Sequence, residues 1–382
     1  MPYGRRPLPL IYSVVAVFVF LFHCFAKAQP STGSDRAYSQ VVADLTNAGV
    51  PVRQLHGRGH VAVTLAAGRV VALAFTQDGP NLFRTNPKLG NTKPEELEGD
   101  FGGDRLWFAP EPRYHWRGIP DWEYFSNKKA PEDMDPGRYD FRDEGPDTIA
   151  LAAQGEIPDQ CLKCSVKGGM KFKVERRVRM TESPLALDHP LMRDVDYVGI
   201  ETTHHLSIDE TTKAGEIDLW HLLQMPVDSI LIVPLKPGHK TEPLSYGMQP
   251  GKWETSHDRV IWRFEGKSNT KLGLPAKALT GRSAVLRKLG ADRWCLIIRQ
   301  FPADPAARYG DHPWGIPRDD QVFQAWDGFG FGEMEYHSPV LDAERGPRML
   351  DDRDQLWAFG GSAHAVASLA DTLLGVDVRP LF

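Results

Sequence analysis

Apolar and polar positions alternate along most of this chain, and a period of two is the signature of strands with one buried face. The run "GHVAVTLAAGRVVALAF" alternates on both sides of an Ala-Gly-Arg turn and predicts a β-hairpin. Strand-like runs then recur: "MKFKVERRVRM", "DYVGIETTHHLSI", "EIDLWHLLQM", "SILIVPL", "RVIWRFEG", "WCLIIRQF", and "VFQAW" followed by "FGFGEMEYHS". Helical spacing occurs at two places. Tyr38, Val41, Val42 and Leu45 form one apolar stripe, with Ser34 or Asp35 as cap. Val366, Leu369, Ala370 and Leu373 form the other, and Gly375 stands where a C-cap glycine belongs. Helices therefore bracket the chain and strands fill it. Without alternating βαβ units a doubly wound parallel sheet is disfavoured, and the pattern predicts a mainly β protein, a large antiparallel sandwich.

The strand parities sort the polar residues. Asp327-Gly328 reads as a two-residue hairpin turn, which sets Trp326 opposite Phe329, Gln324 opposite Phe331 and Val322 opposite Glu333. One face then carries Val322, Gln324, Trp326, Phe329, Phe331, Glu333, Glu335 and His337, with His337 at the rim. Rings grading into two carboxylates suit a sugar, whose faces are apolar and whose edges are hydroxyls. An amphipathic strand whose polar end simply meets water has the same pattern. His204 falls on the apolar side of its strand and His205 on the polar side, while His221 shares an apolar row with Ile217, Leu219, Leu223 and Met225. A histidine so placed is either a hydrogen-bonded core residue or a general acid or base.

Composition narrows the class. With 41% hydrophobic and 25% charged residues over 382 positions, the chain has the balance of a globular protein. Arg5 and Arg6 precede the apolar run "LIYSVVAVFVFLFHCF", and "AKA" ends at Ala28, so residues 1–28 read as an export signal, Gln29 as the mature N-terminus, and residues 29–382 as a single domain of a secreted or periplasmic protein. A membrane association follows only where that segment stays uncleaved. The signal carries three basic residues and no acid, so its removal takes the formal charge from −5 to −8. That balance argues against a nucleic-acid partner. Cys161, Cys164 and Cys295 remain, without a second pair at zinc-finger spacing, and read as a local disulfide or buried thiols.

The stretch "GGDRLWFAPE" (residues 102–111), followed by "IDLWHLLQMP" and closed by "FGEMEYHSP", resembles the galactose-mutarotase-like superfamily, in particular a secreted bacterial branch of aldose-1-epimerase-related proteins. The resemblance runs in order from the first helix to the C-terminus. It implies a β-supersandwich with a carbohydrate cleft, and an acid–base reaction on a sugar hemiacetal that needs no metal or organic cofactor. It assigns the acid to His221 and the base to Glu335, with Glu333 as rival on the same face. Arg105, Trp107, Glu111, His204, Trp326 and Phe331 would bind the sugar, and Gly102 and Gly103 would let a loop pass close to it. The alternative is that Trp107 and Phe108 are core and that Arg105 and Glu111 form a buried ion pair. The rings of "PRYHWRGIPDWEYF" would add a cleft wall. The chain departs from the characterised epimerases in carrying Asp104-Arg105 for an Asn-Arg pair and Trp-His-Leu-Leu for a His-Tyr-Phe stretch. Two functions stay open: a sugar epimerase, or a non-catalytic carbohydrate-binding protein of the cell envelope.

Overall fold

The computed structural model describes residues 36–97, 99–115, 130–158, 169–212, 215–239, 241–247, 251–310 and 318–382, all within the compact unit Ser31–Phe382. The export signal, the caps Ser34 and Asp35, Cys161, Cys164 and the rings of Trp116, Trp122 and Tyr124 lie outside the described residues.

Two ten-stranded antiparallel sheets make up the fold. The first runs β1 (Val52–Gly57), β2 (Gly59–Thr64), β3 (Arg69–Ala74), β4 (Asp104–Ala109), β9 (Glu216–Pro226), β18 (Phe331–His337), β17 (Gln321–Gly328), β14 (Thr270–Pro275), β11 (Leu244–Gly247), with β19 (Leu341–Asp342) pairing on β9. The second runs β12 (Glu254–Thr255), β13 (Arg259–Arg263), β10 (Ile230–Pro234), β15 (Arg282–Lys288), β16 (Trp294–Gln300), β20 (Met349–Gly361), β8 (Asp196–Ile208), β7 (Met170–Met180), β6 (Thr148–Ile157), β5 (Asp140–Arg142). The mainly β, antiparallel architecture expected from the alternation is thus the one observed. The apolar face of each strand packs between the sheets, where Leu106, Phe108, Leu219, Leu223, Val174, Val178, Ile297 and Leu356 share one buried cluster.

Helices cover outer faces. Helix α1 (Tyr38–Asn47) lays Tyr38, Val41 and Leu45 on Ala62, Val71, Ala72 and Ala74 of β2 and β3. Near the C-terminus, the helix Ala363–Leu374 packs Val366, Leu369, Ala370 and Leu373 on Leu296, Ile298, Trp357 and Phe359 of the second sheet. Its ends follow the sequence: Ser362 Oγ accepts from the Ala365 N–H, and Gly375 closes it at φ 68°.

Two sequence expectations are corrected. "DRLWFA" is a strand rather than a loop, inserted between β3 and β9, so Asp104, Leu106 and Phe108 point inward and Arg105 and Trp107 outward. The glycines before it serve the backbone and not a ligand. A Cβ on Gly102 would lie 2.1 Å from the Arg84 carbonyl oxygen, one on Gly103 2.4 Å from that of Val70, and both residues have positive φ. The hairpin turn of β17–β18 is at Phe329-Gly330, not Asp327-Gly328: Gly328 pairs with Phe331, Trp326 with Glu333 and Gln324 with Glu335. Asp327 stays in the strand because its carboxylate accepts the backbone N–H groups of Gly266, Lys267 and Ser268. The turn moves by two residues, an even slip, so Gln324, Trp326, Phe331, Glu333, Glu335 and His337 keep their expected face, while Phe329 passes into the turn and is exposed.

The inter-sheet layer is not purely apolar. Asp104 of β4 accepts from Arg176 of β7 at 2.6 Å and from Arg299 of β16, and Arg299 Nε lies 3.4 Å from Asp354 of β20, all at most 1% exposed. Burial raises the Asp104 carboxyl, but the two guanidiniums outweigh it and hold the acid below its ordinary range. The chain of charges ties the sheets together, and removing one member strands its partners in a dry layer. Asp104→Asn is therefore expected to cost about 3–5 kcal/mol in urea unfolding, whereas replacing Asp104, Arg176 and Arg299 together by apolar residues recovers most of that loss. An Asn variant within about 1 kcal/mol of the parent would show the network to be energetically idle.

Candidate functional site

The outer face of the first sheet carries a group of charged and aromatic side chains near its centre. Register builds it as three cross-strand rows. Trp107, Trp220 and His337 form one, Arg105, Leu222, Glu335 and Gln324 the second, and Gln224, Glu333, Trp326 and Lys271 the third. Phe331 extends the same face by alternation along β18, and Glu111 reaches it from the short helix Glu111–Tyr114 that follows β4.

Pairing differentiates the two glutamates. Glu333 Oε1 accepts from Arg105 Nη2 at 2.9 Å and from Gln224 Nε2 at 3.0 Å, and the Arg105 guanidinium stacks 3.7 Å from the Trp107 ring centre. Glu335 Oε2 accepts from the Trp220 indole N–H at 2.7 Å and faces Lys271 Nζ at 3.3 Å, leaving Oε1 buried without a partner. Burial, opposed by Lys271 and reinforced by Glu333, pushes the Glu335 carboxyl up to about 7. Lys271 also lies 3.4 Å from Glu111 and 4.1 Å from the Trp220 ring centre.

Two residues along the same strand, His337 stacks on Trp220 and holds Asp218 Oδ1 3.1 Å from its Nδ1. Asp218 is itself fixed by the Gly310 N–H at 2.7 Å. With Nδ1 engaged, His337 Nε2 is left buried and without a hydrogen-bond partner. Glu335 and His337 form the floor, at 0% exposure, while Arg105, Phe331, Trp107, Glu333 and Trp326 keep 6–9% and mark where solvent meets the face. An acid or base with a free lone pair, an imidazole braced by a carboxylate, flat rings and paired charges are the parts of a polar-ligand site.

Of the residues singled out from sequence, Arg105, Trp107, Glu111, Trp326, Phe331, Glu333 and Glu335 share this face. The structure does not bring His221 or His204 there. Tyr336, not Glu335, is the cross-strand neighbour of His221, so His221 and Glu335 point to opposite sides of the sheet. His221 stacks on Tyr336 between the sheets and His204 meets it edge-on. The expected acid–base pair is therefore separated by the sheet itself. The Arg105–Glu111 ion pair offered as the alternative does not form; the pairs are Arg105–Glu333 and Lys271–Glu111. Trp107 is anchored, its indole N–H donating to Asp135 at 2.7 Å. His337 is wholly buried, not at the rim.

Sequence reasoning missed Lys271, Asp218, Asp352 and Asp354. Lys271 sits in "TKLGLP", too short a run for its parity to be read. The two aspartates alternate with Asp351 and Arg353 in "DDRD", which reads as a solvated charge run but is strand β20 with Asp352 and Asp354 turned inward. Cys295 is a buried free thiol, and burial pushes it up to about 12.

Comparison with known proteins gives the following. No curated protein matches the chain. Among solved structures it is similar to a galactose mutarotase-like protein from Lactobacillus casei (8% identity, TM-score 0.43, covering 81% of this chain and 100% of that one). It is similar also to a galactose mutarotase-like protein from Clostridium acetobutylicum (8% identity, TM-score 0.46, 81% and 98%) and to an aldose epimerase homologue from C. elegans (9% identity, TM-score 0.43, 82% and 99%). Residues 85–381 match the model of a family of unknown function, DUF6786, and this span takes in β4, the whole outer face described above and the C-terminal helix: the chain belongs to that family.

Proposed function

We propose that the outer face of the first sheet binds a sugar, and that Glu335 and His337 act on its hemiacetal as a proton-transfer pair. One observation carries the reading: on a single strand and a single face, Glu335 Oε1 and His337 Nε2 are both buried and both without a partner, beside the Trp220 ring that Lys271 Nζ approaches to 4.1 Å. Residues two apart on a strand stand roughly 6.5–7 Å from each other, a span a pyranose edge bridges. Ionised Glu335 takes the proton of the anomeric hydroxyl while His337, braced by Asp218, gives one from Nε2 to the ring oxygen. The bond between the anomeric carbon and the ring oxygen breaks, the aldehyde rotates, and the reverse transfers close the ring as the other anomer. Trp326 and Phe331 line the solvent edge of the face with rings, and Arg105 with Lys271 places donors there for hydroxyls.

The role that sequence reasoning gave to His221 thus passes to His337. The reading also takes residues 29–382 to act as one domain outside the cytoplasm, secreted or periplasmic, after cleavage following Ala28.

Magnetisation-transfer NMR across a panel of neutral and acidic aldoses tests the chemistry. Anomeric exchange is expected to accelerate for at least one sugar, and Glu335→Gln and His337→Gln are each expected to lower the rate about 10²–10⁴-fold while saturation-transfer spectra still report binding. Binding without acceleration in the parent protein would make this a carbohydrate-binding face and end the catalytic reading.

The pH dependence has a definite sign. A base titrating near 7 makes the exchange rate rise with pH through about 7. Stability moves the other way. The folded state holds the Glu335 proton more tightly than the unfolded chain, so the protonated form's stability is present below about pH 4.5 and is lost as pH climbs through about 7. A shift of this size corresponds to roughly 3 kcal/mol. Glu335→Gln is accordingly expected to melt above the parent at pH 8 and alongside it at pH 4.5. Equal melting temperatures at both pH values would show that Glu335 ionises freely.

A further inference from the structure

A second cluster lies on the opposite side of the first sheet, sealed between the two layers. His204 of β8, His221 of β9 and Asp352 of β20 each present one donor atom, and these atoms all lie within 4.8 Å of one another. Cross-strand register makes the grouping obligatory. His204 sits between Arg176 and Asp352 in a row across β7, β8 and β20, and His221 sits between Leu106 and Tyr336 in the facing row across β4, β9 and β18.

The hydrogen bonding of this cluster does not close. All four ring nitrogens of His204 and His221 are buried and without a hydrogen-bond partner. His221 Nε2 lies 3.0 Å from Asp352 Oδ2, yet the ring is not aligned to donate to it. Buried polar atoms left unpaired are costly and rare, and here four are concentrated in one place. Burial pushes both imidazoles well below their ordinary range, so the rings are neutral and each holds a lone pair.

We infer that His204, His221 and Asp352 bind one divalent first-row transition-metal ion such as zinc, which staples β9 of the first sheet to β8 and β20 of the second. Two imidazole nitrogens and a carboxylate oxygen are a borderline donor set suited to zinc rather than to calcium or magnesium. Metal–donor bonds of about 2.0–2.2 Å set adjacent donors roughly 3–3.4 Å apart, which accommodates the 3.0 Å between His221 Nε2 and Asp352 Oδ2. Outer groups are already aligned: Tyr336 Oη donates to Asp352 Oδ2 at 2.7 Å, and the His221 ring is stacked 4.1 Å from the Tyr336 ring at 2°. The charge admits a cation. Arg176 and Arg299 face the cluster but are already paired with Asp104 and Asp354, and a bound cation would displace the proton that burial favours on Asp352. This site is separate from the outer face and holds whether or not that face binds sugar.

The test uses the untagged full chain, stripped with chelator and given one equivalent of Co²⁺ or Zn²⁺. About one ion per chain is expected to survive dialysis, with visible d–d bands for cobalt and a raised melting temperature. His204→Ala and Asp352→Asn are expected to weaken binding at least about 10-fold, as loss of a ligand should. Should either variant fail to fold, X-ray absorption of the zinc-loaded parent decides: a nitrogen–oxygen shell with imidazole scattering supports the site. No retained ion, or a shell containing sulfur, overturns it.

Discussion

Asp104 is the residue on which both faces of the first sheet depend. It is a carboxylate without solvent, held ionised by Arg176 and Arg299 from the opposite sheet. Its strand alternates, so anchoring Asp104 inward fixes Arg105 and Trp107 outward, in the rows that contain Glu335 and His337. A slip of one residue in β4 would turn a guanidinium into the interior and an aspartate to the outer face. The strand can enter beside β3 and the Arg84–Thr85 backbone only because Gly103 and Gly102, respectively, lack a Cβ. The glycine pair, the aspartate and the arginine that open "GGDRLWFAPE" are thus successive steps of one arrangement: close approach, inner anchor, outer partner.

The same sheet separates two kinds of polar chemistry. Inside, buried groups lack water, and those not held by the Arg176–Asp104–Arg299 ion pairs are driven toward neutrality: burial pushes Asp354 up to about 7, raises Asp352 and lowers His204 and His221. On the outer face, similar burial has different results because the partners differ. Glu333 is satisfied by Arg105 and Gln224. Glu335 has only one oxygen engaged, and its proton affinity rises. Two glutamates of one strand therefore acquire unlike properties from neighbours on β4, β9 and β14.

Much of the fold was legible in the sequence because its information is local. Period-two runs gave strands such as Met170–Met180 and Asp196–Ile208 at their full length, and Ser362 and Gly375 bounded the C-terminal helix. The shared face of Trp326, Phe331, Glu333 and Glu335 was legible too, since alternation survives an even slip of the turn. Arg176 offered a signal that went unread: it occupies an inward position in a strand where Phe172, Val174 and Val178 are buried, and an inward charge needs a partner.

By itself, then, the sequence determined the strands, their two faces and the membership of the carboxylate-bearing one. Which strands became neighbours, and therefore which charge met which, was decided only by tertiary structure. His221 and Glu335 were both visible as candidates, but a one-residue offset across β9 and β18 sets them on opposite sides of the sheet. Lys271 meets Glu335, and Asp218 meets His337, across 64 and 119 positions of chain. Local pattern carries the direction of a side chain because backbone pleating sets it; it carries no register between distant strands, and register is what makes a site.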